Sequence, residues 1–127
     1  MVVLERKNFA SPDEARDFVA KGRTEVLRLS MGSVRRLTYE PGWRWSTHVG
    51  PLAGRPTCGL AHFGVVLSGS QAVRMEDGTE LVLGAGDVFT IPAGHDGWTI
   101  GDEPCVVLDF AGGDPFALAD AAARPSS

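Results

Sequence analysis

The sequence predicts an all-β fold, a single antiparallel β-barrel, and three observations predict it. From residue 25 the chain takes up a period of two, with Leu27, Leu29 and Met31 alternating with Val26, Arg28 and Ser30. Short β-prone runs then recur at intervals of roughly ten residues, the spacing of a sandwich or barrel. The runs are separated by turn chemistry, and 16 Gly with 8 Pro supply the many turns an all-β chain of this size needs.

The elements follow in order. Residues 11–18, SPDEARDF, have the look of a helix start, with Ser11 as N-cap, Pro12 at the first helical position and Glu14 at the third. Gly22 limits that helix to one or two turns. Gly32-Ser33 makes a hairpin turn into residues 34–40, which Pro41-Gly42 closes. Residues 43–49 read as a further extended segment, and residues 50–57, rich in Gly and Pro, as a loop. Residues 59–68 are a strongly β-prone run that Ser68-Gly69-Ser70 turns into residues 71–75. Asp77-Gly78 is the clearest hairpin signal, because glycine adopts positive φ at little cost. Runs at 80–83, 88–91, 98–100 and 105–110 complete the strands. Gly69, Gly86 and Gly94 are turn positions, and Asp87 and Asp102 serve turn geometry beside glycines. Residues 115–123 read as a short Ala-rich helix. The expected organisation is a 1–24 extension, a 25–112 barrel and a 113–127 tail, without internal repeats.

Composition bounds the function. The chain has 127 residues, 43% hydrophobic and 22% charged, which suits one globular domain rather than a disordered segment. A net charge of −4 without a basic run gives no attraction to nucleic acid or anionic lipid. No apolar run approaches membrane-spanning length, and the first ten residues, with Glu5 and Asn8, do not read as a secretory signal. Two cysteines make no disulfide framework, so a cytoplasmic location is expected.

The chemistry concentrates between Pro41 and Trp98. His48, His62 and His95 are the only histidines, each sits beside a turn signal, and Cys58 lies four residues before His62. Three imidazoles and a thiol converging from connected strands would hold one transition metal. Unconverged, they are polar core or loop groups satisfied by hydrogen bonds, and Cys58 is a small buried hydrophobe.

The spacing resembles the cupin superfamily, whose members are small jelly-roll barrels. Gly42 is followed after five residues by His48, His62 after six by Gly69, and Gly86 after five by Pro92-Ala93-Gly94. These match parts of the two cupin motifs over about half the chain. The departures are specific. Gly50 replaces the second histidine of the first motif, an insertion follows, His62 stands at the glutamate position with Cys58 ahead of it, and strand parity puts Cys58 and His62 on one face. Gly97 takes the second motif's histidine position, with His95 one strand period earlier and so on the same face. The resemblance thus implies a ligand set of His48, Cys58, His62 and His95, altered from three histidines and a glutamate.

Such a set suits zinc, with iron, nickel or manganese as alternatives, and its sulfur argues against magnesium or calcium. With all four ligands on the metal the site is closed and structural; with one off, a water takes the open position. Trp43, Trp45 and Trp98 flank the histidines and would line the mouth against a small-molecule ligand, or pack as core or dimer contacts. Tyr39 and Arg44 would orient a carboxylate, or stand as solvated strand positions. Asp96 would fix the tautomer of His95, or be a surface turn residue. Cys105 opens the apolar run CVVLDF and reads as packing.

Catalytic residues are not identifiable, since no carboxylate or tyrosine is evidently placed as a general base. Two classes of function follow: a metal-dependent enzyme on a small polar metabolite, and a non-catalytic small-molecule or metal sensor. The family resemblance also implies a homodimer, with Val2-Val3-Leu4 as a candidate exchanged segment.

Overall fold

A computed structural model describes residues 1–110 as nine strands and two short helical turns. In chain order these are β1 (Glu14–Asp17), β2 (Gly22–Leu29), β3 (Gly32–Tyr39), α1 (Trp45–His48), α2 (Gly50–Ala53), β4 (His62–Ser68), β5 (Ser70–Met75), β6 (Glu80–Gly84), β7 (Val88–Ile91), β8 (His95–Ile100) and β9 (Cys105–Asp109). The strands form a six-stranded sheet, β1-β2-β3-β9-β4-β7, and a three-stranded sheet, β6-β5-β8, and every pairing is antiparallel. This is a jelly roll, as the sequence predicts. No ladder among the described residues closes β6 onto β7, so it is two sheets facing across a core rather than a continuous cylinder.

The core follows from the period-two alternation. Leu37 and Tyr39 of β3, Val66 of β4, Phe89 and Ile91 of β7 and Val107 of β9 turn inward from the larger sheet, and Val73 of β5 comes from the smaller. Tyr39 packs on Trp43 with ring centroids 4.4 Å apart. The Asp77-Gly78 hairpin forms as expected: Gly78 has φ +91°, and the Thr79 N–H donates to Asp77 Oδ1 at 2.8 Å.

Three local expectations are corrected. Residues 11–18 are not a helix start. β1 pairs with β2 from Glu14↔Val26 to Asp17↔Arg23, and Arg28 and Arg23 pair across the ladder with Glu14 and Asp17. A one-turn helix leaves most of its backbone groups unbonded, whereas an edge strand satisfies one whole side. Its charged side chains also suit an edge position. The first hairpin turns at Ser30-Met31, since Leu29 pairs with Gly32 and Gly32-Ser33 already belong to β3. Residues 43–49 are not extended throughout either. The buried Asp96 carboxylate accepts from the Ser46 N–H at 2.9 Å and the Ser46 hydroxyl at 2.8 Å, anchoring the start of α1. Pro51 opens α2, and Gly54, in a left-handed conformation, ends it. These turns fold Trp45, Val49 and Ala53 into the core. The expected helix at 115–123 lies outside the described residues.

Candidate metal centre

Local backbone geometry sets each donor. The turn Pro92-Ala93-Gly94 delivers the chain to β8, and Gly94 takes φ +91°, a conformation a side chain would strain. The Gly94 N–H donates to the Cys58 carbonyl and the Cys58 N–H to the His95 carbonyl, both at 2.7 Å. Cys58 and His95 thereby form an isolated antiparallel bridge, which puts their side chains directly opposite one another. His62 begins β4 and pairs with Ile91, and the inward parity of His62, Gly64 and Val66 sends its imidazole into the core. Gly64 in turn pairs with Asp109 of β9, and it must be glycine. A Cβ there would lie 1.9 Å from the Leu108 carbonyl oxygen.

Cys58 Sγ, one ring nitrogen of His62 and one of His95 lie within 4.8 Å of one another, and all three residues are buried. Cys58 Sγ is 3.9 Å from His62 Nε2, and the two imidazoles meet edge to face with centroids 5.1 Å apart. Each ring's other nitrogen is occupied. His62 Nδ1 is 2.5 Å from Asp109 Oδ2, and His95 Nδ1 is 2.7 Å from the Pro92 carbonyl oxygen. A carbonyl only accepts, so His95 carries its proton on Nδ1, and the carboxylate imposes the same on neutral His62. In these neutral forms each Nε2 carries the lone pair a ligand would use. A carboxylate or carbonyl behind each ring is the arrangement that orients metal-binding histidines. A tetrahedral zinc holds its donors roughly 3.3–3.6 Å apart, so modest side-chain closure would seat the ion. Three protein ligands leave one position of four open.

Electrostatics favour the thiolate and leave a proton on His62 that a metal would displace. Burial pushes the Cys58 thiol up, but its hydrogen bonds with His62, His95 and the Leu60 N–H outweigh it and bring its pKa down to about 6. Burial opposes protonation of His62, yet its bonds to Asp109 and Cys58 prevail and raise it to about 9. Near neutral pH the sulfur is thus a thiolate, the form that binds metal and attacks electrophiles. Cys105 is the contrast: burial alone raises it to about 11, as befits a packing residue.

His48 stands apart. It ends α1, is half-buried, and its Nδ1 accepts the Arg44 N–H at 3.0 Å. The helical turn that replaces the expected strand carries it away from Cys58, His62 and His95. Trp43 and Trp45 line the cavity at the cluster. Trp98 does not; the Arg44 guanidinium covers its ring, 4.4 Å from the centroid. Asp96 is buried and holds Arg44 Nε at 3.0 Å as well as Ser46, so it braces α1 and leaves His95 to Pro92. Asp87 accepts from the Gly84 N–H in its turn, as expected. Asp109 went unnoticed in the sequence, although its parity with Cys105 and Val107 already placed a carboxylate on a buried strand face.

The cavity has about 30 Å³ of free volume, and its walls include Tyr39, Trp43, Trp45 and Gln71 besides His62 and His95. A larger cleft of about 200 Å³ opens between the edges of β6 and β7, walled by Leu81, Leu83, Phe89 and Pro92. It holds neither histidine nor cysteine, so the chemistry resides in the smaller one.

Residues 57–111 match the family described as "Cupin domain". The fold is a cupin fold. The cupin structures it resembles include a sugar phosphate isomerase from Silicibacter pomeroyi, at 21% identity and TM-score 0.58, covering 87% of this chain and 76% of that one. The polyketide cyclase RemF from Streptomyces resistomycificus is similar at 18% identity and TM-score 0.61, covering 87% and 80%. The Lactobacillus farciminis oxalate decarboxylase, solved as its formate complex, is similar at 17% identity and TM-score 0.56, covering 87% and 34%. No curated protein matches the sequence. At these identities the cupin neighbours establish the fold, and the site must be argued from its own residues.

Proposed function

We propose that this cupin binds a divalent transition metal, zinc foremost, through Cys58, His62 and His95, and acts as a metal-dependent enzyme on a small polar metabolite. One observation carries the reading: both imidazoles have Nδ1 engaged by an acceptor, and one ring nitrogen of each lies within 4.8 Å of the buried Cys58 sulfur. Iron, nickel or manganese would suit the same donors less specifically. A bound ion of this kind supplies Lewis-acid polarisation of a substrate oxygen and acidifies a bound water. The chain's own residues do the rest. Asp109 fixes the His62 ring and balances its charge, and the Pro92 carbonyl fixes His95. Tyr39, Trp43 and Trp45 wall the cavity with apolar surface and limit water around the donors. The isomerase, cyclase and decarboxylase among the structural neighbours support catalysis at the level of fold.

The other reading is a metal or small-molecule sensor, favoured by the small cavity volume. Either form would work as a cytoplasmic protein, in keeping with two buried free cysteines. No helix of the described residues is long and apolar enough to cross a membrane. A homodimer is supported by the outward face of the larger sheet, where Phe63, Leu67, Val88 and Phe110 are all exposed.

Elemental analysis of the purified protein beside a Cys58→Ala/His62→Ala double variant tests the site. One metal per chain, lost in the variant, is expected; a metal-free, well-folded wild type ends the metal reading. Turnover of a metabolite panel by the loaded protein then separates enzyme from sensor.

A further inference from the structure

Two indole donors stand out in the cavity wall. Trp43 is 3% exposed and Trp45 1%, and the Nε1–H of each is buried without a hydrogen-bond partner. Buried tryptophan N–H groups normally find an acceptor, and an indole can only donate. Gln71, 7% exposed, lines the same cavity, and its amide makes no hydrogen bond among the described residues. Gly97 lines it too, on the inward face of β8 with His95, and a Cβ there would lie 3.6 Å from Gln71 Nε2. The wall carries no lysine or arginine. Its one carboxylate, Asp109, is committed to His62.

We propose that this cavity binds a small carboxylate, its oxygens received by the Trp43 and Trp45 indole N–H groups and the Gln71 amide. The two indole N–H groups cannot accept and so select a ligand rich in lone pairs, and the Gln71 amide can turn its NH2 toward the same ligand. The volume sets the size: about 30 Å³ is room for roughly two or three waters, which a ligand of formate or acetate dimensions fills. The preference for negative charge rests on the metal reading above, since the other end of such a ligand would meet the Cys58–His62–His95 centre. The donor geometry does not rest on it. The absence of a side chain at Gly97 keeps open the space beside the Gln71 amide.

The test is a formate titration of the full chain, metal-free and zinc-loaded, followed by ¹H–¹⁵N correlation of the indole N–H signals. The chain has 3 Trp, so Trp43→Phe and Trp45→Phe assign the signals and Trp98 is the internal control. The signals of Trp43 and Trp45 are expected to move saturably with formate, and neither should move with equal formamide or chloride. Gln71→Leu and Gly97→Ala should each weaken formate binding about tenfold. Gly97 has an ordinary φ and its Cβ would meet Ala72 O at 3.4 Å, so the second variant keeps the strand. Zinc uptake with unmoved indole signals would overturn the carboxylate site and leave the metal centre standing. Saturable shifts without zinc uptake would uphold the site and remove the metal reading. An equal response to formamide would overturn the selection of a carboxylate.

Discussion

Replacing Asp109 by asparagine probes the centre without touching a ligand. Asp109 is 1% exposed, and its carboxylate lies 2.5 Å from His62 Nδ1, a charge-assisted bond in the buried interior. Asparagine keeps the volume and one acceptor but removes the charge. A hydrogen bond to a charged group contributes about 1.5–3 kcal/mol, and loss of such a partner behind a metal-bound histidine lowers affinity roughly 10–100-fold. Zinc affinity, measured by competition with a chromophoric chelator and corrected for proton competition at His62 by repeating the titration across pH 7–9, should therefore fall by about 1.4–2.8 kcal/mol. The pKa of His62, held at about 9 against burial by Asp109 and Cys58, should fall as well. At pH 7.5 wild-type His62 must shed its Nε2 proton to bind metal, and the variant has less of it to shed. Calorimetry in buffers of differing ionisation enthalpy should thus show less proton release per zinc. Asp96→Asn is the control: that buried carboxylate braces α1, so its loss should lower the melting temperature and leave zinc affinity unchanged. An Asp109→Asn protein that binds zinc within a factor of about three of wild type, under about 0.7 kcal/mol, would refute the claim that Asp109 orients His62 for a metal.

His48→Ala should leave zinc affinity unchanged and cost less than about 1 kcal/mol of stability, because the hydrogen bonds of its ring are with the Arg44 backbone; a marked fall in zinc affinity by chelator competition would restore it to the ligand set. Gly64→Ala should lower the melting temperature by roughly 10 °C or more, since its Cβ would overlap the Leu108 carbonyl, and zinc affinity should fall with it as the β4–β9 ladder carrying Asp109 parts. The pH dependence of the metal-free protein should reflect two opposed contributions. Cys58, lowered from 9.0 to about 6, contributes stability that is full above 9 and lost as pH falls to 6; His62, raised from 6.5 to about 9, contributes stability that is full below 6.5 and lost as pH rises to 9. The two slopes offset each other, so thermal melts should be nearly level between about pH 6.5 and 9, and Cys58→Ala should expose the His62 contribution as a fall in melting temperature with rising pH.

The strands were legible because their signals are local. Asp77-Gly78 and the apolar run that Cys105 opens each fix a conformation within a few residues, and the structure keeps them. Residues 11–18 misled for the opposite reason. Their capping pattern is a local preference of modest size, and it loses to a ladder with β2 that only the folded sheet provides. Residues 43–49 turn into α1 because a carboxylate some fifty positions away, Asp96, receives the Ser46 N–H and hydroxyl. No spacing within the segment reports that bond. His48 was lost to the site through this one tertiary contact.

The centre itself combines both kinds of information. Strand parity placed His62 and His95 on inward faces, and the family motif placed His95 one period from the usual ligand position. Parity also put Cys58 on the face of His62, but the chain between them is not a strand; what holds Cys58 is its pair of backbone bonds with Gly94 and His95. The thiol enters the donor set by being clamped opposite a ligand, so its position depends on the Pro92-Ala93-Gly94 turn. Asp109 depends in the same way on Gly64, where the lack of a Cβ lets β9 come close enough for the carboxylate to reach His62. Two glycines that carry no chemistry thus determine whether sulfur, imidazole and carboxylate meet at all. The altered ligand set is as much a property of backbone approach as of the residues that replace the family's own.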